Sequence, residues 1–115
     1  MKMSVTIYHN PRCSKSRQTL AILEDKNVDH EVVEYLNHPP SRTELRRILG
    51  MLDLKAHDIV RRKDAKDAGL DVAAMSEPEL LDAMVNIPII IERPIVVAGD
   101  KAVIGRPPEN VLSII

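Results

Sequence analysis

Val5-Thr6-Ile7-Tyr8-His9-Asn10-Pro11-Arg12-Cys13-Ser14-Lys15-Ser16-Arg17 is the stretch whose reading decides the fold. Val5 to Tyr8 alternates in the manner of a strand with β-branched content. A helix-like run from Ser16 to Leu23 follows. Cys13, the only cysteine of the chain, therefore falls on the turn between a first strand and a first helix, at the helix N-terminus. Thiolate is the reactive form of cysteine, and a free thiol titrates near ~8.5. Unpaired backbone N–H groups at a helix start, together with the helix dipole, favour negative charge there. Arg12, Lys15 and Arg17 add positive charge nearby, as would His9 when protonated. The bland alternative is a buried structural cysteine packed as a small hydrophobe. The polar, basic neighbours of Cys13 argue against it.

Working outward, the helix is expected over residues 14–26, with Leu20 and Leu23 as its apolar stripe and Ala21 on one flank. Asn27 and Asp29 break it, and Glu31 to Tyr35 reads as a second strand. Strand, crossover helix and strand within about 30 residues make a βαβ unit with parallel strands. His38-Pro39-Pro40 then interrupts all regular structure. Ser41-Arg42-Thr43-Glu44 is a capping box, and Leu45, Ile48, Leu49 and Leu52 follow at helical spacing. A short helix is expected from Ala56 to Arg62, and loops with a turn at Gly69 over residues 63–74. Ser76-Glu77-Pro78-Glu79 is a second capping box, before a helix burying Leu80, Leu81, Met84 and Val85; Pro88 ends that region. Ile95-Val96-Val97 and Lys101 to Ile104, joined at Gly99-Asp100, read as a hairpin. Glu109 to Ile115 is expected to form a last helix.

With the helices of residues 41–62 set aside, the order is βαβ–α–ββα, which resembles a thioredoxin-like α/β domain with a mixed sheet. One domain over residues 1–115, with a helical insertion at about 38–75, is the expected organisation. That fold places its reactive thiol at the start of the first helix, as here. It also places a cis-proline before the third strand, so a cis Arg93–Pro94 bond is expected.

Bulk properties exclude several classes. Among 115 residues there is no Phe or Trp and only two Tyr, so stacking on nucleic-acid bases is nearly unavailable. The net charge of −1 supplies no global basic field for DNA or acidic membranes. A lone cysteine excludes an intrachain disulfide and a Cys-rich zinc site, and His30, His38 and His57 lack metal-ligand spacing. With a lone thiol, no signal-like start and no apolar run near ~18 residues, a soluble cytoplasmic protein is expected; a monomer is expected as well.

Cys13-Ser14-Lys15-Ser16 is a C-x-x-S sequence. Dithiol chemistry needs a second cysteine at the last position, so any adduct formed on Cys13 must be resolved by an outside thiol. A phosphatase-type loop is also excluded, because position 19, six residues on, is Thr19 and not arginine. Oxyanion-holding arginines must come from elsewhere. Arg93 and Arg106 each lie beside proline at the edge of an apolar strand, an unusual place for an idle charge. Arg61 lies in the helical insertion, with Arg62 adjacent. The planar donor fork of arginine matches tetrahedral oxyanions.

Residues 7–17, Pro39-Pro40-Ser41-Arg42, Glu92-Arg93-Pro94-Ile95-Val96-Val97 and Ile104-Gly105-Arg106-Pro107-Pro108-Glu109 together resemble the ArsC family of glutathione- and glutaredoxin-coupled arsenate reductases, most nearly its short YfgD-like branch. The resemblance spans essentially the whole chain. It implies Cys13 as nucleophile, Arg61, Arg93 and Arg106 as oxyanion ligands, and His9, Ser16, Arg17 and Pro94 as supporting residues. Ser16 would hydrogen-bond the thiolate, and His9 would tune the thiol or its loop rather than act as a general base. It implies no bound cofactor, with glutathione as co-substrate and glutaredoxin as partner. The chain stops at Ile115, where longer members continue. Two alternatives compete. A monothiol glutaredoxin-like transfer protein would not need Arg93 and Arg106 together. An Spx-like regulator that binds RNA polymerase would ordinarily use C-x-x-C as its switch, which Ser16 interrupts.

Overall fold

The computed structural model describes residues 4–115. Strand β1 (Val5–His9) leads to helix α1 (Ser14–Asp25) and strand β2 (Glu31–Glu34). Helices α2 (Arg42–Leu52), α3 (Ala56–Ile59), α4 (Arg62–Asp67) and α5 (Glu77–Asn86) follow, then strands β3 (Ile95–Ala98) and β4 (Lys101–Ile104). Short 3₁₀ turns occupy Val72–Ala74, Pro88–Ile90 and Pro108–Ser113.

The four strands form one mixed sheet in the order β2-β1-β3-β4. β1 pairs in parallel with β2, Thr6 opposite Glu31, as a crossover helix between two adjacent strands allows. β3 runs antiparallel to β1, Ile7 opposite Val96, and β4 antiparallel to β3. This is the expected thioredoxin-like arrangement. The central strands are the most buried: every residue of β3 is buried, whereas edge strand β2 exposes Glu31, Val32 and Glu34. Ala98 pairs with Lys101 across Gly99-Asp100, a two-residue turn in which Gly99 adopts φ 63°. That positive φ is the reason for glycine there.

The chain forms two compact units. One runs through His38 and resumes over Arg93–Ile115; the other is Pro39–Glu92. In the sheet unit, Val5 and Ile7 of β1, Leu23 of α1, Val96 and Ala98 of β3, and Val111 make the core. In the helical unit, α2 contributes Leu45, Ile48 and Leu49, and α5 contributes Leu80, Leu81 and Met84. Ser41 accepts the Glu44 N–H and starts α2, while Ser76 and Glu79 exchange both bonds of a capping box and start α5.

Several expectations need correction. The buried face of α1 is Ser16, Thr19 and Leu23; Ala21 is exposed and Leu20 half-buried. Leu52 and Val85 are half-buried too. The helix expected from Ala56 to Arg62 stops at Ile59, where Val60 turns extended and bridges to Ile91. Residues 63–67, expected as loop, join Arg62 to form α4. A single buried residue, Ala65, faces inward, so no apolar periodicity marks the helix in the sequence. The terminal helix is a 3₁₀ run at Pro108–Ser113. Arg93–Pro94 is cis as expected, and Arg106–Pro107 is cis as well.

Candidate active site

Cys13 is the N-cap residue of α1, half-buried at the end of β1. The loop that carries it is built on Asn10, which is 3% exposed. The Asn10 carbonyl accepts the Cys13 N–H at 3.0 Å, and its side-chain oxygen accepts the Arg12 N–H at 3.0 Å. This is an asparagine-initiated turn. Arg17, one turn into α1, donates to the Pro11 carbonyl at 2.9 Å and straps the loop from outside.

Ser16 is fully buried. Its hydroxyl accepts the Asn10 N–H at 3.0 Å and lies 2.7 Å from His9 Nδ1. Burial lowers the His9 pKa, Glu34 opposes this, and Arg17 adds to it. In its neutral form with the proton on Nε2, His9 would accept the Ser16 hydroxyl proton at Nδ1. The Ser16 side chain is thus committed to His9 and Asn10. It is the Ser16 main-chain N–H that addresses the sulfur.

Arg93 is buried, 9% exposed, and its guanidinium helps draw the Cys13 thiol toward its anionic form. Arg106 approaches from the end of β4, its Nη1 3.7 Å from Cys13 Sγ and 3.2 Å from the Arg93 carbonyl, to which it donates. No cap bond of full geometry forms at Cys13; the sulfur sits instead among donors. Burial would raise the thiol pKa, but the Ser16 N–H, Arg93, the Lys15 N–H and Arg106 outweigh it and hold the pKa below that of an ordinary thiol.

The sheet unit thus brings Cys13, His9, Ser16, Arg17, Arg93, Pro94 and Arg106 into one constellation. Arg61 belongs to the helical unit. Its Nε donates to Asp64 at 2.7 Å and its Nη1 to Glu92 at 3.0 Å. Arg62 is exposed, its nearest partner the His57 carbonyl at 3.5 Å. Asn10, Asp64 and Glu92 were not singled out from the sequence as part of this machinery. The Asn-Pro dipeptide, a turn signal, is the one cue that pointed to Asn10.

The sequence pattern of the ArsC family matches residues 8–114. The chain belongs to the ArsC family. "Uncharacterized protein YfgD" of Escherichia coli strain K12 is 48% identical over 118 residues, spanning 100% of this chain and 99% of that protein. An "Arsenate reductase" of Haemophilus influenzae strain Rd is 48% identical over 118 residues, spanning 98% of this chain and 100% of that one. The solved "Arsenate reductase from Vibrio cholerae" superposes with a TM-score of 0.93 at 44% identity, covering 100% of both chains. Among the described residues of this ArsC-family chain, no helix is long and apolar enough to cross a membrane.

Proposed function

We propose that this protein is an arsenate reductase that uses Cys13 as nucleophile and borrows its resolving thiols from glutathione and glutaredoxin. The observation that carries the reading is the half-buried thiol facing two guanidinium groups, Arg93 and Arg106. A nucleophile that sits against fixed cations suits an anionic, tetrahedral substrate whose charge the same cations offset. Family membership and the names of the full-length relatives support arsenate as that substrate.

In the proposed reaction the Cys13 thiolate attacks arsenic(V), an As–S bond forms, and one arsenate oxygen leaves as water. Arg93 and Arg106 hold the remaining oxygens. A glutathione thiolate displaces a second oxygen, again lost as water. A glutaredoxin thiolate then attacks the glutathione sulfur. The As–S pair stays on arsenic, which becomes arsenic(III), and a glutaredoxin–glutathione disulfide departs. Hydrolysis of the remaining As–S bond frees arsenite and Cys13. Ser16, standing where a dithiol enzyme has its second cysteine, is the reason for the outside thiols. The reading places the reaction in the cytoplasm, where such thiols are kept reduced.

NADPH oxidation in the presence of arsenate, glutathione, glutaredoxin and glutathione reductase tests this. Turnover is expected in the complete mixture and not when glutaredoxin or glutathione is omitted. Equal turnover without either would overturn the coupling, and no turnover in the full mixture would overturn arsenate as substrate.

A further inference from the structure

Arg93 and Arg106 converge on Cys13 because two chain segments, each beside a proline, are held at one spacing. The contact that sets this spacing lies outside the Cys13 loop. Thr19, fully buried in α1, donates to the Lys15 carbonyl at 2.8 Å and stands 3.5 Å from the Gly105 carbonyl. Gly105 immediately precedes Arg106, and its N–H donates at 2.9 Å to the carbonyl of Pro94, which follows Arg93.

There is no room for a side chain at position 105. A Cβ there would overlap Thr19 Oγ1, lie 2.8 Å from Pro94 Cγ and 3.1 Å from Thr19 Cγ2. The backbone conformation is not what demands glycine, since the glycines with positive φ are Gly69 and Gly99. The segment is also tethered on both sides of Gly105, because Asn110 Nδ2 donates at 3.2 Å to the Ile104 carbonyl and to the Arg106 carbonyl. A displacement of residue 105 therefore carries Arg106 with it. Arg106 has little distance to spare, at 3.7 Å from Sγ.

We propose that Thr19 and Gly105 are positioning residues: the contact of the Thr19 side chain with the bare backbone of Gly105 is the spacer that sets the Arg106 guanidinium against Cys13. Both act through Arg106 rather than on the sulfur. The proposal rests on the reading of Arg106 as part of the reactive site, but its test does not require arsenate.

The test is the rate of iodoacetamide alkylation of Cys13 against pH, in the full-length chain, for wild type, Gly105→Ala and Gly105→Ala/Thr19→Ala. Gly105→Ala is expected to move the midpoint upward and to slow alkylation at pH 7 about threefold, the equivalent of about half a pKa unit. Thr19→Ala in that background removes both Thr19 atoms that Cβ meets, leaving only a proline ring carbon that can repucker. It is expected to restore the wild-type profile. A merely structural role would lower stability and leave the midpoint in place, so an unchanged profile in Gly105→Ala overturns the proposal. A shifted profile that Thr19→Ala fails to restore overturns it as well. Should Gly105→Ala not fold, the double variant decides: a folded protein with the wild-type profile supports the spacer, and an unfolded one or a raised midpoint contradicts it. The expected shifts in a protein that does not turn over arsenate would overturn the substrate alone.

Discussion

Arg106 Nη1 lies 3.7 Å from Cys13 Sγ and 3.2 Å from the Arg93 carbonyl oxygen. One guanidinium therefore joins the nucleophile to the backbone of the second arginine. The thiol is drawn toward its anionic form by the same groups that would meet an oxyanion. In the proposed reaction, binding charge and activating the sulfur would be one arrangement, built from residues 93 apart in the chain.

Arg106→Gln should weaken both uses. Cys13 alkylation at neutral pH should slow, because a cation facing the thiolate is gone. Arsenate turnover should fall about a hundredfold, the usual scale for losing one preorganised donor. Alkylation–pH profiles and steady-state kinetics on the same preparation check this. Arg106→Lys should recover part of the alkylation rate but little turnover, since a point charge lacks the fork.

Ser16→Ala should cost stability rather than remove a thiolate ligand. The Asn10 N–H and His9 Nδ1 would both lose their buried partner. Urea denaturation should show a loss of about 1–3 kcal/mol. The Ser16 main-chain N–H survives the change, so alkylation of the folded variant at neutral pH should remain faster than that of a free thiol.

The helical unit should carry a pH-dependent contribution from His57. Its Nδ1 faces Glu77 Oε1 at 3.0 Å and its Nε2 faces the Met75 carbonyl at 3.0 Å. Both partners accept, so the protonated ring, with both nitrogens donating, is the form that satisfies them. The Glu77 hydrogen bond raises the His57 pKa against slight desolvation, with Met75 adding to it. Burial works against ionised Glu77, but the Ala56 N–H and His57 lower its pKa. His57 therefore stabilises fully below its unfolded value of about 6.5, and the contribution is lost as pH rises through the higher folded value. Glu77 contributes above its unfolded value and loses it as pH falls through its lower folded one. Urea midpoints of wild type should exceed those of His57→Ala by more at pH 6 than at pH 9. At pH 6 the difference should be about 0.5–1 kcal/mol, modest because each side chain is about one-third exposed.

Leu23→Ala should destabilise the sheet unit by about 2–5 kcal/mol. Leu23 is fully buried among Val5, Ile7, Val96 and Val111. Thermal or urea denaturation measures this directly.

Much of this was legible in the sequence because it is written locally. The strand–turn–helix around Cys13 follows from alternation and helical spacing, and the hairpin from Gly99-Asp100. The starts of α2 and α5 follow from Ser41/Glu44 and Ser76/Glu79. Helix α4 was not legible, because one buried alanine leaves no period to read. The face of α1 was misread for a related reason. Ser16 and Thr19 are buried through polar bonds to His9, Asn10, Lys15 and Gly105, which apolar periodicity does not register. In the site, Cys13, Arg93 and Arg106 were marked by their neighbours. The partners of Arg61 were not, since Asp64 and Glu92 are 28 residues apart and nothing local joins them.

The most direct test of the central claim is arsenite itself, separated from arsenate and quantified after incubation with glutathione and glutaredoxin, for wild type against Cys13→Ser. The account predicts arsenite accumulating with wild type and only the uncatalysed background with Cys13→Ser. Equal arsenite from both would contradict a Cys13 thiolate as the nucleophile.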